Sequence, residues 1–295
     1  MRALVGIVLN TFREAVRQPF YYLLVGAAAA ALLITLWLPF FTFYNDVDMY
    51  KDLGLSFILV FVLLAGLLAA ATGIAREVED KTAQTILAKA LGRWQFVLGK
   101  YLGAMAAVLV AAIVLGSVFA AAVYYRVQLD AGPYEQAYAQ GGVGAQVGAF
   151  RERQLSQALT VIPGLVLAVL QVAVLSAVAT ALSTRFSAAA SVALSLAAFV
   201  VGHLTVFLEG AVQAAGGLAV ALIQAVLTIM PFLEIFNINQ KLSHAVLTPL
   251  EAGSRGAADW AAVWCYVGLS ALFALAYSAA AVSVGILLFR RRSLS

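Results

Sequence analysis

The sequence LGLSFILVFVLLAGLLAAATGIA (residues 53–75) contains no charged side chain, and REVEDKTAQTILAKALGRWQFVLGK (residues 76–100), which contains eight, follows it directly. A helix that crosses a bilayer needs about 20 mostly apolar residues, and 53–75 meets this requirement. A charged side chain at the bilayer centre costs about 2.5 kcal/mol or more, so 76–100 does not cross. Arg76 therefore marks the predicted end of a membrane span and the start of a segment outside the bilayer.

The composition of the whole chain also indicates an integral membrane protein. Of the 295 residues, 64% are hydrophobic and 11% are charged, whereas soluble domains average about 45–50% and about 25%. The mean hydropathy is +0.98. A soluble protein of this size could not bury so much apolar surface. These values exclude disordered proteins, secreted disulfide scaffolds and free nucleic-acid-binding proteins, so no nucleic acid is expected as a partner.

The apolar stretches predict an all-α integral membrane protein with six transmembrane helices, in a single domain that covers 1–295. Each stretch is long enough to cross the hydrocarbon core of a bilayer. The six predicted spans are 20–41, 53–75, 101–125, 158–182, 186–208 and 260–289.

A seventh apolar run, 210–233, leaves the topology open. Lys and Arg collect on the cytoplasmic side of membrane proteins, and three arginines (290–292) follow the last span directly. They favour six spans with both termini in the cytoplasm. Gly216, Gly217 and Pro231 disfavour a straight spanning helix. We therefore expect a re-entrant or interfacial hairpin in an outer segment, 209–259, with a true span as the alternative.

Three segments outside the spans have distinct characters. Residues 1–19 alternate apolar and basic positions, which predicts an amphipathic interfacial helix that ends near Pro19; a cytoplasmic extension of the first span is the alternative. Residues 127–157 form an outer loop whose glycine-rich part, 141–148, is expected to be a flexible connector and whose end, 150–157, is predicted to be helical and to lead into the fourth span. In 76–100, apolar side chains recur at helical spacing, which predicts an amphipathic helix on the cytoplasmic face. This helix either rests on its own bundle or docks a cytoplasmic partner.

No motif for catalysis is present, so the chain is expected to be a non-catalytic membrane subunit without metal or cofactor. Gly99-Lys100 is followed by Tyr101, which breaks the phosphate-binding pattern Gly-x4-Gly-Lys-Ser/Thr. His203 lies within a predicted span and is a candidate residue of a transport pathway. A hydrogen bond between helices is the alternative role for this side chain.

Four local features resemble the ABC-2 type permeases, the membrane subunits of ABC transporters, and most closely the branch associated with nitrous-oxide-reductase maturation. The resemblance covers essentially the whole chain, and the feature at 76–103 is the most specific. The family commonly has a proline near Ala90-Leu91, which this chain lacks. The four features are TFREAVRQPFYYLL (11–24), REVEDKTAQTILAKALGRWQFVLGKYLG (76–103), PFLEIFN (231–237) and the basic end at 289–292.

The resemblance implies that 76–100 is a coupling helix in a groove of a separate ATPase, which holds ATP and Mg²⁺. Two ATPase subunits and a second permease, identical or related, are then expected in a bacterial cytoplasmic (inner) membrane, with export as the favoured direction. Gly99 and Gly103 are expected to allow close helix packing. The predicted coupling residues are Arg76, Glu77, Glu79, Asp80, Lys81, Thr82, Leu87, Arg93 and Lys100.

Two other functions stay open from the sequence. The permease could pass ATP-driven motion to an extracytoplasmic partner through 127–157 and 209–259 without moving cargo. Alternatively, the chain could be a secondary transporter or channel that works without an ATPase. Secondary transporters often carry several intramembrane carboxylates and internal repeats, and neither feature is seen in this sequence.

Overall fold

The structure is a computed structural model that describes residues 2–38, 46–79, 92–130, 144–204, 230–237 and 260–290. Within these ranges every regular element is a helix, so the prediction of an all-α protein is confirmed. The elements are α1 (Arg2–Arg17), α2 (Pro19–Leu36), α3 (Asp46–Glu79), α4 (Arg93–Asp130), α5 (Gly144–Leu159), α6 (Val161–Ser183), α7 (Ala188–His203), a 3₁₀ turn (Leu233–Phe236) and α8 (Trp260–Arg290).

Five helical stretches in the described residues are long and apolar enough to cross a membrane. They are Pro19–Leu36, Val47–Glu77, Arg93–Leu129, Phe150–Ser183 and Trp260–Arg290. Helix α7 is apolar but shorter, and the last residues of the corresponding predicted span, 205–208, lie outside the described ranges. The described helices thus correspond to the six predicted spans, although α2 ends at Leu36, before the predicted end of the first span at residue 41.

Proline and extended backbone explain two breaks between successive helices. Gln18 is extended, with φ −70° and ψ 134°, and Pro19 begins α2 at a position where its missing N–H costs nothing. Pro163 has no N–H group to donate to the Leu159 carbonyl oxygen, and α5 ends at Leu159. Because of the break at Gln18, α1 is a separate helix and does not simply extend α2.

Contacts between the helix termini define two ends of the bundle. At the Arg93 end, the start of α4 contacts the last residue of α8, since Arg93 Nη1 donates to the Arg290 carbonyl oxygen over 2.7 Å. At the Arg126 end, the same helix reaches the last turn of α2, where Arg126 Nη1 donates to the Leu36 carbonyl oxygen over 2.6 Å. The spanning helices alternate in direction between these two ends.

The segment Pro231–Asn237 joins the end of α7 to the first part of α8. Leu233 is buried against Gly202, where an added Cβ would lie 2.7 Å from Leu233 Cδ1. The Tyr266 hydroxyl donates to the Ile235 carbonyl oxygen over 2.7 Å. The end of α7 and the first part of α8 are therefore joined through this segment. The choice between a hairpin and a seventh span at 210–233 stays a prediction. Of the predicted outer segment 209–259, the structure describes 230–237, and the rest of the predicted hairpin lies outside the described residues.

Two predicted segments have different boundaries in the structure. The outer loop is shorter than 127–157, because 127–130 complete α4. The predicted helical end at 150–157 is confirmed, but α5 already begins at Gly144, within the glycine-rich part that was expected to be a flexible connector. The prediction that 76–100 forms one separate helix is wrong at both ends: Arg76–Glu79 continue α3, and Arg93–Lys100 are the first turns of α4. Helix propagation is cooperative, so the spans extend past the hydrocarbon boundary that hydropathy detects. Residues 80–91, like 131–143, lie outside the described ranges.

The centre of the bundle is formed by α3, α4 and α6, which approach closely where small residues meet. At Gly66 of α3, an added Cβ would lie 2.8 Å from Val108 of α4 and 2.9 Å from Val172 of α6. Small residues at such crossings let membrane helices make the van der Waals contacts that hold them together. The outer helices α2 and α8 instead present large exposed apolar side chains, as expected for surfaces that face lipid.

Candidate coupling surface

A buried ion cluster lies at the Arg93 end of the bundle. Two of its members, Glu77 and Lys100, flank residues 80–91 in the sequence. Lys100 of α4 is only 3% exposed, and its Nζ lies 2.5 Å from Glu77 Oε1 of α3. The same Nζ lies 3.5 Å from Glu14 Oε2 of α1. A buried ammonium group is stable only when it is paired, and the two carboxylates supply this pairing. Lys100 thereby ties together three helices that are separate in sequence.

Helix α1 packs on the glycine face of α4 at this cluster. An added Cβ at Gly99 would lie 2.7 Å from Ile7 Cγ2. At Gly103 it would lie 2.5 Å from Thr11 Cβ and 2.8 Å from the Val8 carbonyl oxygen. Any side chain at these positions would push α1 away. The two glycines therefore let α1 reach the depth at which Glu14 contacts Lys100.

The start of α4 also contacts the end of α8. Besides the hydrogen bond from Arg93 to the Arg290 carbonyl oxygen, the rings of Phe96 and Phe289 stack with centroids 5.5 Å apart and planes 20° apart. Both rings belong to a small buried cluster with Ile74 of α3 and Ala177 of α6. The first two turns of α4 therefore contact α1, α3, α6 and α8.

The predicted coupling residues fall into two groups. The structure brings Glu77 and Lys100 into contact, places Arg93 on the Arg290 carbonyl group, and leaves Arg76 exposed at the end of α3. Glu79 is the last residue of α3. Asp80, Lys81, Thr82 and Leu87 lie outside the described residues. The coupling role of all nine residues stays a prediction.

His203 lies on the buried side of the contact between α6 and α7. Its Nε2 is 3.1 Å from Gln171 Nε2, and its Nδ1 is 2.9 Å from the Phe199 carbonyl oxygen. A neutral imidazole fits both contacts, because Nδ1–H donates to the carbonyl group and Nε2 accepts from the amide. This is the helix–helix hydrogen bond that the sequence left as one of two alternatives. A role in a transport pathway stays a prediction.

Sequence reasoning missed Glu14 as a member of the ion cluster. The signal was present, because Glu14 is the sole acidic residue among residues 1–45 and stands between Arg13 and Arg17. An acid within a basic amphipathic helix has no favourable role at an anionic surface, which points to an internal partner. The hydrogen bond from Arg93 to the Arg290 carbonyl oxygen could not be predicted from the sequence, because every residue has a carbonyl group.

A second polar cluster lies at the Arg126 end. Arg126 Nη1 donates to the carbonyl oxygens of Leu36 and Leu38 at 2.6 and 3.1 Å. These are carbonyl groups that the end of helix α2 leaves without a helical donor. Nearby, the buried Lys51 donates to Gln157 of α5 and lies 3.7 Å from Asp48. These contacts join the end of α2 to α4, and the start of α3 to α5.

The described residues contain no group of three His, Cys, Asp or Glu side chains that could hold a metal ion. The site is thus built from charge pairs and close helix contacts. The helices that flank residues 80–91 in sequence, α3 and α4, are joined by the pair of Glu77 and Lys100. Further contacts join them to α1 and α8.

Comparison with protein families gives a match to the ABC-2 family transporter proteins over residues 43–294. Comparison with curated protein sequences finds no match. The family match names no branch, so the resemblance to the permeases of nitrous-oxide-reductase maturation stays a prediction. The match covers most of the chain and all helices from α3 to α8, and the apolar helices of the structure have the lengths that a multi-pass membrane protein requires. The chain therefore belongs to the ABC-2 family of transporter proteins and is a membrane component of an ABC transporter.

Proposed function

We propose that this permease couples ATP hydrolysis in a separate ATPase subunit to the export of a substrate, through residues 76–100. Membership of the family implies an ABC ATPase as partner. ATP and Mg²⁺ are held by that partner, and this chain contributes no catalytic group. The complex contains two ATPases and two permeases in a bacterial cytoplasmic membrane, with both termini of this chain in the cytoplasm.

One observation carries the proposal: the buried Lys100 joins the two helices between which the charged segment lies. A force applied to residues 80–91 reaches Glu79 and Arg93 through the chain. The 2.5 Å pair between Lys100 and Glu77 makes the ends of α3 and α4 respond as a unit. A conformational change driven by a partner requires different contact energies in its two states, and we propose that such contacts arise at this charged segment.

The test begins with affinity purification of the chain in mild detergent and identification of stoichiometric partners. We expect an ABC ATPase to co-purify and its hydrolysis rate to depend on the permease. The Lys100→Met variant should still bind the ATPase. The hydrolysis rate should then depend much less on the permease, because α3 and α4 no longer move together. Lys100→Arg, which keeps the charge, should restore part of it, and Arg185→Gln at an exposed site should behave as wild type.

Each alternative function has its own outcome in this experiment. A chain that purifies without an ATPase and acts on an ion gradient would be a secondary transporter or channel. Hydrolysis that depends on an extracytoplasmic partner and moves no cargo would indicate transmission of motion across the membrane. Unchanged coupling in Lys100→Met, with normal assembly, would overturn the role of the ion cluster.

A further inference from the structure

Helix α1 has two faces of different chemistry, and among the described residues only one of these faces is packed against other helices. The inner face carries Thr11 and Ala15, which are buried, together with Glu14, which contacts Lys100. The outer face carries Arg13 and Arg17, both exposed, in the same turns of helix. The acidic side chain of α1 is therefore used internally, while the basic side chains point outward.

The outer face is also apolar in its first half. Val5 and Leu9 are 53% and 47% exposed. At 100° per residue, Val5, Leu9, Arg13 and Arg17 form one continuous stripe, because each lies four residues after the last. A stripe that is apolar at one end and basic at the other matches the boundary between acyl chains and headgroups.

The position of α1 along α4 places this stripe at the bilayer surface. Ile7 and Glu14 are two helical turns apart, yet they contact neighbouring residues of α4, Gly99 and Lys100. Helix α1 therefore crosses α4 at this level, where the apolar span of α4 begins. Trp94 is exposed one to two turns away, as is common for tryptophan at membrane interfaces.

From these observations we propose that the outer face of α1 binds anionic phospholipid headgroups through Arg13 and Arg17. Both arginines are exposed, and the ion pairs formed among the described residues involve neither of them, which suits guanidinium groups that bind phosphate. The exposed Val5 and Leu9 favour a bilayer over an acidic protein groove, and Pro19–Leu36 continues from α1 directly into the membrane. Lipid binding at α1 does not depend on transport.

The test is native mass spectrometry of the detergent-purified protein titrated with phosphatidylglycerol or with phosphatidylcholine of identical acyl chains. Wild type should bind phosphatidylglycerol more tightly. In Arg13→Gln/Arg17→Gln the preference should fall by up to about thirty-fold, from the contribution of two basic side chains near an anionic surface. Arg13→Lys/Arg17→Lys should keep the preference and shows that substitution here does not prevent folding.

Two further variants separate this site from general basic charge at the Arg93 end. Arg185→Gln removes an exposed arginine just after α6 and should keep the lipid preference. Val5→Ser/Leu9→Ser should weaken the binding of both lipids alike. An unchanged preference in Arg13→Gln/Arg17→Gln, or an equal loss in Arg185→Gln, would overturn the proposal. If Arg13→Gln/Arg17→Gln lost a co-purifying protein but kept the lipid preference, the proposal would also be overturned. The outer face of α1 would then bind a groove of that protein.

Discussion

Lys100 and Glu77 form a 2.5 Å ion pair between α4 and α3, and in sequence the two residues lie on either side of the charged segment 80–91. Lys100 is almost fully buried, and Glu77 is 17% exposed. The pair therefore joins the end of α3 to the start of α4, at the level where each helix leaves the apolar part of the bundle. Glu14 adds α1 to the same cation.

Lys100→Met is expected to destabilise the protein. The substitution leaves two neighbouring carboxylates at Glu14 and Glu77 without their cation, and breaking a buried ion pair in this way costs about 3 kcal/mol. Thermal unfolding in detergent should show a lower Tm than wild type. The double variant Lys100→Met/Glu77→Gln should recover part of the loss, because it no longer buries an unpaired carboxylate. A single variant as stable as wild type would show that the pair contributes nothing to the fold.

Gly103→Ala is expected to displace α1. The new methyl group would overlap with Thr11 and with the Val8 carbonyl oxygen, and overpacking of this kind costs about 1–3 kcal/mol. Gly73→Ala is the matched control, because a Cβ there would lie 3.6 Å from Lys100 Cδ, an ordinary contact.

Limited trypsin digestion at Arg13 and Arg17, together with Tm, measures this effect. We expect faster cleavage and a lower Tm in Gly103→Ala, and values close to wild type in Gly73→Ala. Equal behaviour of the two variants would argue against close packing of α1 at Gly103.

Arg126→Met is expected to loosen the last turn of α2. Arg126 donates to the Leu36 and Leu38 carbonyl oxygens, and a hydrogen bond to a charged group contributes about 1.5–3 kcal/mol. Hydrogen exchange should become faster in the last turn of α2 and stay unchanged in α7. Arg151→Met is the control, because Arg151 is exposed and such substitutions change stability by about 0.5 kcal/mol or less. Similar exchange in both variants would contradict the capping role of Arg126.

Much of the architecture could be predicted from local sequence. The change from apolar to charged residues at Arg76 places the end of a span close to Glu79, where α3 ends. Glycines 99 and 103 stood out by their spacing, and the structure places α1 against both. Helix ends were less well predicted, since hydropathy reports the hydrocarbon boundary and α4 extends beyond it at both termini.

The partners of individual side chains could not be predicted. Glu14 and Lys100 are 86 positions apart, and no local pattern selects Lys100 over other basic residues near the Arg93 end. Gln171 and His203 were each visible as isolated polar residues in apolar spans, but only the packing of α6 on α7 brings them to 3.1 Å. Pairings of this kind depend on helix rotation and depth.

The sequence by itself determined that the chain is helical and membrane-bound, where its spans lie, and which segment carries the charge. Length, apolar content and charge position are sufficient for this, because a bilayer excludes charge and requires about 20 apolar residues per crossing. Only the tertiary structure decided that Glu77, Glu14 and Lys100 meet and that Arg13 and Arg17 face outward. The physical reason is that lipid is as apolar as a protein core, so apolar periodicity does not distinguish the lipid-facing side of a helix from its packed side.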